Sequence, residues 1–371
     1  MPISRRANVR TTKQQFILTA SFLMAVVLPL AACAEPPTEP VQETDVLMAK
    51  PSCPGHPSCK PDDPPDDPPG ALSPVIAFAE GGALWVSNAD GSGETFVPTG
   101  NAASVWHHSW APGGDGEIEP YKLVFESDFV LYTVEVWTTS GTLSFGQAQP
   151  INLPTEARAP DWGSSGEILY LARAPSPPSD QLHWAIYVIS DTELPNPTPT
   201  QVYVASVGIT EANYHSVYEA TWNPAGDAIA FVEEDEVQPY TWEHALRVVD
   251  RATGIVSTVF DYGSFSGAGW GMDWSATESA NALAYAFEIP AKRGITLEIR
   301  SLRLSSDGAG SYSAAGELFS PITGFAFPTW SADDTQLLVS DLKTLKTLDV
   351  ASGGVDATLT RRDGRSSDWR R

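Results

Sequence analysis

Histidines are the side chains in this sequence best suited to acid–base or metal chemistry. Of six in all, His107 and His108 are adjacent in the stretch "HHSW", which begins one of several similar tryptophan-bearing segments. Together with His215 of another segment, they would supply three imidazoles for a metal ion. The alternative is that they are ordinary surface or core residues. We therefore take His107 and His108 as candidate binding residues and leave the metal question open.

A second pattern consists of short polar residues directly before six tryptophans. Taken in order, with the last copy first, Asp alternates with Ser or Thr: Asp368, Ser109, Asp161, Thr221, Asp273 and Thr329. If the three carboxylates meet at one level, Asp161, Asp273 and Asp368 are candidate ligands for Ca²⁺, which prefers oxygen donors. Alternatively, each side chain hydrogen-bonds the adjacent turn and fixes the local geometry.

Common catalytic motifs are absent. The stretch nearest to G-x-S-x-G is "GSFSG", which has Phe265 where the nucleophile is required, and the chain contains neither H-E-x-x-H nor the Gly-Lys of a phosphate loop. Binding without catalysis is therefore favoured, and no cofactor is expected apart from the Ca²⁺ considered above. A polysaccharide lyase or glycan hydrolase is the alternative, and it requires two to four His, Asp or Glu side chains to converge at one mouth of a funnel.

A glycine-rich aromatic loop is a further candidate for recognition. It reads "FDYGSFSGAGWGMDW" and includes Tyr262, Phe265 and Trp270. Exposed aromatic side chains between glycines suit the faces of peptides or sugars. Buried, the same side chains would only fill a seam between two repeats.

A repeat of about fifty residues must position these groups. Each copy begins with a polar residue, a tryptophan, a small turn and an alternating β-prone run. These are followed by a further strand, usually a Gly-bearing turn such as "RATG", and a short last strand. Four antiparallel strands per copy predict an all-β fold, a six-bladed β-propeller. A β-sandwich would not place tryptophan at one fixed point in each unit. The repeat tryptophans are Trp110, Trp162, Trp222, Trp274, Trp330 and Trp369.

The two ends of the repeat region complement each other. The first segment, "PVIAFAEGGALWVSNADGSGETFVPT", supplies three strands without a tryptophan turn, and the last, "RSSDWRR", supplies only that turn. We expect Ser366 to Trp369 to pair as the innermost strand beside Val75 to Phe78, which closes the ring and leaves no free sheet edge.

The repeats resemble those of the TolB-type six-bladed propellers, with their P-x-W-S-P-D-G and I-A-F signature. The best matches are "PDW" at Trp162, "WNPAGDAIAF" from Trp222 and "PTWSAD" at Trp330, and the resemblance covers residues 73–371. It implies the fold only, because this family includes envelope binding proteins, substrate-gating parts of peptidases and some lyases. TolB itself has an extra N-terminal domain, and a stalk takes its place here, so no Tol-system role is implied.

The N-terminus has the pattern of a signal peptide, residues 1–32. Four basic residues precede the apolar run "FILTASFLMAVVLPL", which is short for a membrane span. "LAAC" then resembles a bacterial lipobox and predicts lipidation of Cys33 after export by the Sec route. Ala34, where inner-membrane lipoproteins carry Asp, is typical of an outer-membrane destination. An ordinary secretory peptide and a twin-arginine signal are the alternatives.

Residues 33–72 are predicted to form a Pro- and Asp-rich stalk. The stretch "PDDPPDDPPG" favours an extended, solvated chain, because prolines stiffen it and the Asp pairs repel one another. Within the stalk, Cys53 and Cys59 are expected to form a local disulfide outside the cytoplasm. A metal site that includes His56 is the alternative, although it lacks a fourth ligand.

The charge of the chain restricts its partners. The net charge is −24, and it becomes −28 without the predicted signal peptide. So acidic a surface repels nucleic acid and anionic headgroups and leaves cations or basic partners. We therefore expect a lipid-anchored envelope protein that binds a protein or peptide and contacts the membrane only through its anchor. A spacer without a binding role is a further alternative.

Overall fold

A computed structural model describes residues 75–100, 102–173, 184–205, 215–238, 241–263, 271–277, 281–291, 294–360 and 366–370. The predicted signal peptide, the stalk and the three cysteines lie outside these ranges. Within them, no helix is long and nonpolar enough to cross a bilayer.

The described residues form six antiparallel sheets, which are the blades of a six-bladed β-propeller. From the innermost strand outward, blade 1 contains β26 (Ser366–Trp369), β1 (Ile76–Glu80), β2 (Ala83–Ser87) and β3 (Thr95–Phe96). Blade 2 contains β4 (Val105–Trp110), β5 (Tyr121–Ser127), β6 (Val130–Thr139) and β7 (Thr142–Phe145), and β8 (Gln149–Pro150) pairs with β6. Blade 3 contains β9 (Ala157–Trp162), β10 (Glu167–Arg173), β11 (Trp184–Ser190) and β12 (Thr200–Val204), with a 3-10 turn at Asp191–Glu193.

The other three blades have the same order. Blade 4 contains β13 (His215–Trp222), β14 (Ala228–Gln238), β15 (Thr241–Asp250) and β16 (Val256–Gly263). Blade 5 contains β17 (Met272–Trp274), β18 (Ala282–Ala291), β19 (Gly294–Ser306) and β20 (Tyr312–Gly316), and β21 (Ile322–Thr323) pairs with β19. Blade 6 contains β22 (Ala326–Trp330), β23 (Gln336–Ser340), β24 (Leu345–Asp349) and β25 (Val355–Thr360).

The ring closes through the C-terminal strand, as the sequence predicts. β26 pairs with β1 in the register Ile76 with Trp369 and Phe78 with Ser367. The innermost strands then contact one another in the order β26, β4, β9, β13, β17, β22 and back to β26. Both the propeller and its closure are therefore confirmed.

The nonpolar core lies in the seams between blades rather than inside a single sheet. Each of six buried clusters combines side chains from two neighbouring blades, and each contains one repeat tryptophan. Trp222, for example, packs against blade 3 so closely that a Cβ on Gly163 would lie 2.8 Å from its Cδ1 atom. The fixed position of tryptophan in the repeat is thus explained by a fixed place in the seam.

Four of the innermost strands carry a β-bulge just before their tryptophan, in β4, β9, β13 and β22. In β9 and β22 the bulge has a residue with positive φ, Ala159 at 48° and Phe327 at 53°, followed by a proline. Proline suits a bulge because it has no N–H to donate to the ladder.

Candidate functional site

A channel lies where the six innermost strands meet. Each strand lines it with the three residues that precede its tryptophan, so the wall consists of three layers. The latch layer, next to the tryptophans, is Asp368, Ser109, Asp161, Thr221, Asp273 and Thr329. The middle layer is Ser367, His108, Pro160, Ala220, Met272 and Pro328. The mouth layer, at the start of the strands, is Ser366, His107, Ala159, Glu219, Gly271 and Phe327.

The latch layer joins each blade to the next. In four pairs, a side-chain oxygen accepts the backbone N–H of the tryptophan in the following blade. These pairs are Asp368 Oδ2 with Trp110 (2.7 Å), Ser109 Oγ with Trp162 (3.1 Å), Asp161 Oδ2 with Trp222 (2.8 Å) and Asp273 Oδ2 with Trp330 (2.7 Å).

The hydroxyl residues of this layer also form hydrogen bonds between blades. Ser109 Oγ donates to Asp161 Oδ1 at 3.1 Å, and Thr221 Oγ1 donates to Asp161 Oδ2 at 3.0 Å. Thr329 Oγ1 donates to the carbonyl of Ser367 at 2.7 Å. Short polar residues therefore fix the geometry, but they bind the neighbouring blade rather than their own turn.

The predicted calcium ligands thus serve as acceptors between blades. Asp161, Asp273 and Asp368 all lie in the latch layer. In the part of the chain that the structure describes, no three His, Cys, Asp or Glu side chains are placed to hold a metal ion together. These three residues nevertheless contribute carboxyl groups to the channel wall.

The mouth layer holds an acid–base pair. His107 Nδ1 lies 2.7 Å from Oε2 of Glu126, a buried residue of β5. The same oxygen accepts the N–H of Ala159 at 3.1 Å, at the bulge of β9. Burial alone would lower the pKa of His107, but the hydrogen bond to Glu126 and the charges of Glu219 and Glu126 outweigh it and raise that pKa. Glu126 thus orients an imidazole that is about a third exposed.

Glu219 is the second carboxylate at the mouth. In the described part of the chain, no donor reaches its carboxylate and no cation lies within ion-pairing distance. Burial raises its pKa, while the charges of His107 and Arg158 oppose this rise. The Arg158 guanidinium lies 4.0 Å from the centre of the Trp184 ring and donates from Nη2 to the Val217 carbonyl at 3.2 Å.

The other predicted site residues have different surroundings. His108 is buried, and its Nδ1 lies 3.3 Å from Ser366 Oγ of the closing strand. Burial lowers its pKa to about 4, so this imidazole is neutral at physiological pH. Through its contact with Ser366, His108 helps to hold the closing strand in place. The His215 side chain is outside the described set, so its convergence with His107 and His108 is untested.

The aromatic loop also remains a prediction. Phe265 and Trp270 lie outside the described residues, and of Tyr262 only the backbone, in β16, is described.

Nonpolar side chains are exposed at the mouth end of two blades. Because β5 and β23 run antiparallel to the innermost strands, the turns that follow them lie at the same end as the mouth. There Trp106, Phe129, Val130 and Leu342 are 38% to 46% exposed. We call these four residues the mouth rim.

Glu126 and Glu219 were missed by the sequence analysis. Glu219 stands three residues before Trp222, just as His107 stands three before Trp110, so an alignment of the repeats on their tryptophans would have found it. Glu126 lies on a second strand, and no spacing in the sequence connects it with His107.

Comparison with known proteins gives no family. No family model and no curated protein matches the chain. Among solved structures, a TolB candidate of Agrobacterium tumefaciens is 15% identical over 80% of this chain and 91% of its own, with a TM-score of 0.47. Kuenenia stuttgartiensis hydrazine synthase is 13% identical over 78% and 80%, with a TM-score of 0.42. Such values carry no argument about function, and the propeller rests on the strand order described above.

Proposed function

We propose that this chain is a bacterial envelope lipoprotein whose propeller binds a protein or peptide partner at the mouth of its channel. The observation that carries the proposal is the mouth rim, which places exposed nonpolar side chains at the same end of the blades as the polar recess of His107 and Glu219. Protein interfaces combine such aromatic contacts with polar groups. The mouth is thus proposed as the interface.

The predicted N-terminal segments give this interface a location. Lipidation of Cys33 would anchor the chain, with the outer membrane as the proposed site in a Gram-negative cell. Residues 33–72 would serve as the tether. An extended chain of this length reaches roughly 100 Å, so the mouth would be able to meet partners well away from the bilayer.

A lyase or glycan hydrolase is the second candidate. His107 and Glu126 converge at 2.7 Å, which meets the lower limit that the enzyme alternative requires. In that case His107 would act as the general base, with Glu126 orienting its ring. Cleavage of a polysaccharide by the wild-type chain but not by His107→Asn would favour the enzyme over the non-enzymatic binding protein.

Photocrosslinking in intact cells tests the binding proposal. A benzoylphenylalanine would replace either Trp106 at the mouth or Ile118, which is 86% exposed in the loop after Trp110 at the opposite end of blade 2. We expect one discrete adduct from position 106 and none from position 118, because only the first lies at the interface. Equal adducts from both positions, or an adduct from position 118 alone, would contradict the proposal.

A further inference from the structure

We infer that the partner presents a lysine or arginine side chain, which enters the channel and pairs with Glu219. This inference rests on the proposed binding function and adds the chemistry of the ligand. Glu219 lines the mouth as a half-buried carboxylate that makes no hydrogen bond or ion pair within the described part of the chain, although His107 and Arg158 act on it from a greater distance. An incoming cation would supply the missing partner.

The charge of the channel wall favours a cation. Among its eighteen lining residues are four carboxylates, those of Glu219, Asp161, Asp273 and Asp368, and no lysine or arginine. Carboxylates that line a narrow cleft concentrate their field inside it, which attracts cations to the channel. The occupant should therefore carry positive charge.

The charged groups nearest to Glu219 are held by other contacts. Glu126 is matched by His107 and by the N–H of Ala159. Arg158 is stacked on Trp184 and bonded to the carbonyl of Val217. These contacts leave Glu219 as the carboxylate of the mouth that a ligand can use.

The shape beside Glu219 suits a long side chain. Blade 5 contributes Gly271, which has no side chain to project into the channel, because the Phe327 backbone packs so closely on it that a Cβ would lie 2.6 Å from Phe327 Cα. Phe327 and Met272 form a nonpolar wall there. A lysine or arginine packs its methylene groups on such a wall while its charged end reaches a carboxylate.

A side chain of a peptide fits better than a metal ion or a free amine. No three potential metal ligands come together in the described residues, whereas an ammonium or guanidinium group can pair with one carboxylate. The exposed mouth rim offers further nonpolar contacts that a free amine would leave unused. We therefore assign the channel to a basic residue of a peptide segment.

Selection from a random hexapeptide library on beads tests this assignment with the full chain. Peptides retained by the wild-type chain should be enriched in lysine or arginine. Glu219→Gln should reduce that enrichment at least tenfold, because it removes the charge and keeps the shape. Glu117→Gln makes the same change of charge at an exposed site near the opposite end and should keep the enrichment. Since Glu219 accepts no hydrogen bond from the residues that the structure describes, its variant should fold with an unchanged melting temperature.

The outcomes separate the two proposals. Retained peptides without a preference for basic residues, or an equal preference in Glu219→Gln, would overturn the inference and leave peptide binding intact. If the wild-type chain retained no peptide at all, both the inference and the proposed peptide binding would be wrong.

Discussion

Deletion of Asp368 to Arg371 is expected to lower the melting temperature of the propeller by about 6 °C, since burial of one tryptophan contributes roughly 3–5 kcal/mol and a domain of this size loses about 1.5 °C per kcal/mol. Trp369 is buried between blades 1 and 6, and its partner in the pairing of β26 with β1 is Ile76. The deletion also removes the Asp368 carboxylate, which accepts a hydrogen bond from the backbone N–H of Trp110. Blade 1 would lose half of its innermost strand and leave a sheet edge open.

Differential scanning calorimetry of the purified chain measures this effect. A chain that ends at Arg370 is the matched control and should melt like the wild type, because it keeps all of β26. If the deletion prevents folding, Trp369→Ala should show most of the shift, because the expected value counts the burial of this tryptophan alone. Equal melting temperatures for the deletion and the control would refute closure by the C-terminal strand.

Replacement of Asp161 by alanine should lower the free energy of unfolding by about 3 kcal/mol, since each donor left without an acceptor costs roughly 1–3 kcal/mol and the site is only half-buried. The carboxylate accepts hydrogen bonds from Ser109, Thr221 and the backbone N–H of Trp222. All three donors would lose their acceptor at once, and blades 2, 3 and 4 would be less firmly joined.

Urea unfolding in the presence of EDTA measures this change without a contribution from bound calcium. Asp356→Ala is the matched control, because Asp356 is exposed on β25 and accepts one hydrogen bond, from Gln336 Nε2 at 2.8 Å. We expect a loss of less than about 0.5 kcal/mol for this control. A loss at Asp161 no larger than that at Asp356, or one that appears only when calcium is added, would contradict the role of the latch layer.

The fold could be predicted because the repeat itself carries its signals. Tryptophan, turn and alternating strand recur together, and each tryptophan has the same place in a seam between blades. The first segment lacks one strand and the last segment supplies one, and this difference predicted that the C-terminal strand closes the ring. These features are local in sequence, so one sequence was sufficient.

The direction of the latch bonds could not be predicted. A side chain such as Asp161 reaches the N–H of Trp222 because the innermost strands of neighbouring blades lie side by side, and no local pattern reports that contact. The bulges were also hidden, since Ala159 and Phe327 have positive φ without being glycine. Since β9 carries a bulge at Ala159, that N–H meets Glu126, which in turn orients His107.

The channel layers were only partly visible in the sequence. The latch layer was found because its members precede the tryptophans directly. The mouth layer has no common residue type, since it includes His107, Glu219 and Phe327, so only its constant distance from the tryptophans connects it. Its chemistry therefore depends on the arrangement of the six strands around one axis, which no pattern in the sequence reports.

Hydrogen–deuterium exchange of the full chain, with and without a peptide selected on it, tests most directly whether the mouth is the binding surface. We expect slower exchange in residues 104–108, 128–131 and 341–344, which lie at the mouth end of blades 2 and 6. Residues 112–119 and 251–255, at the opposite end, should exchange as before. Slower exchange confined to that opposite end would contradict the account.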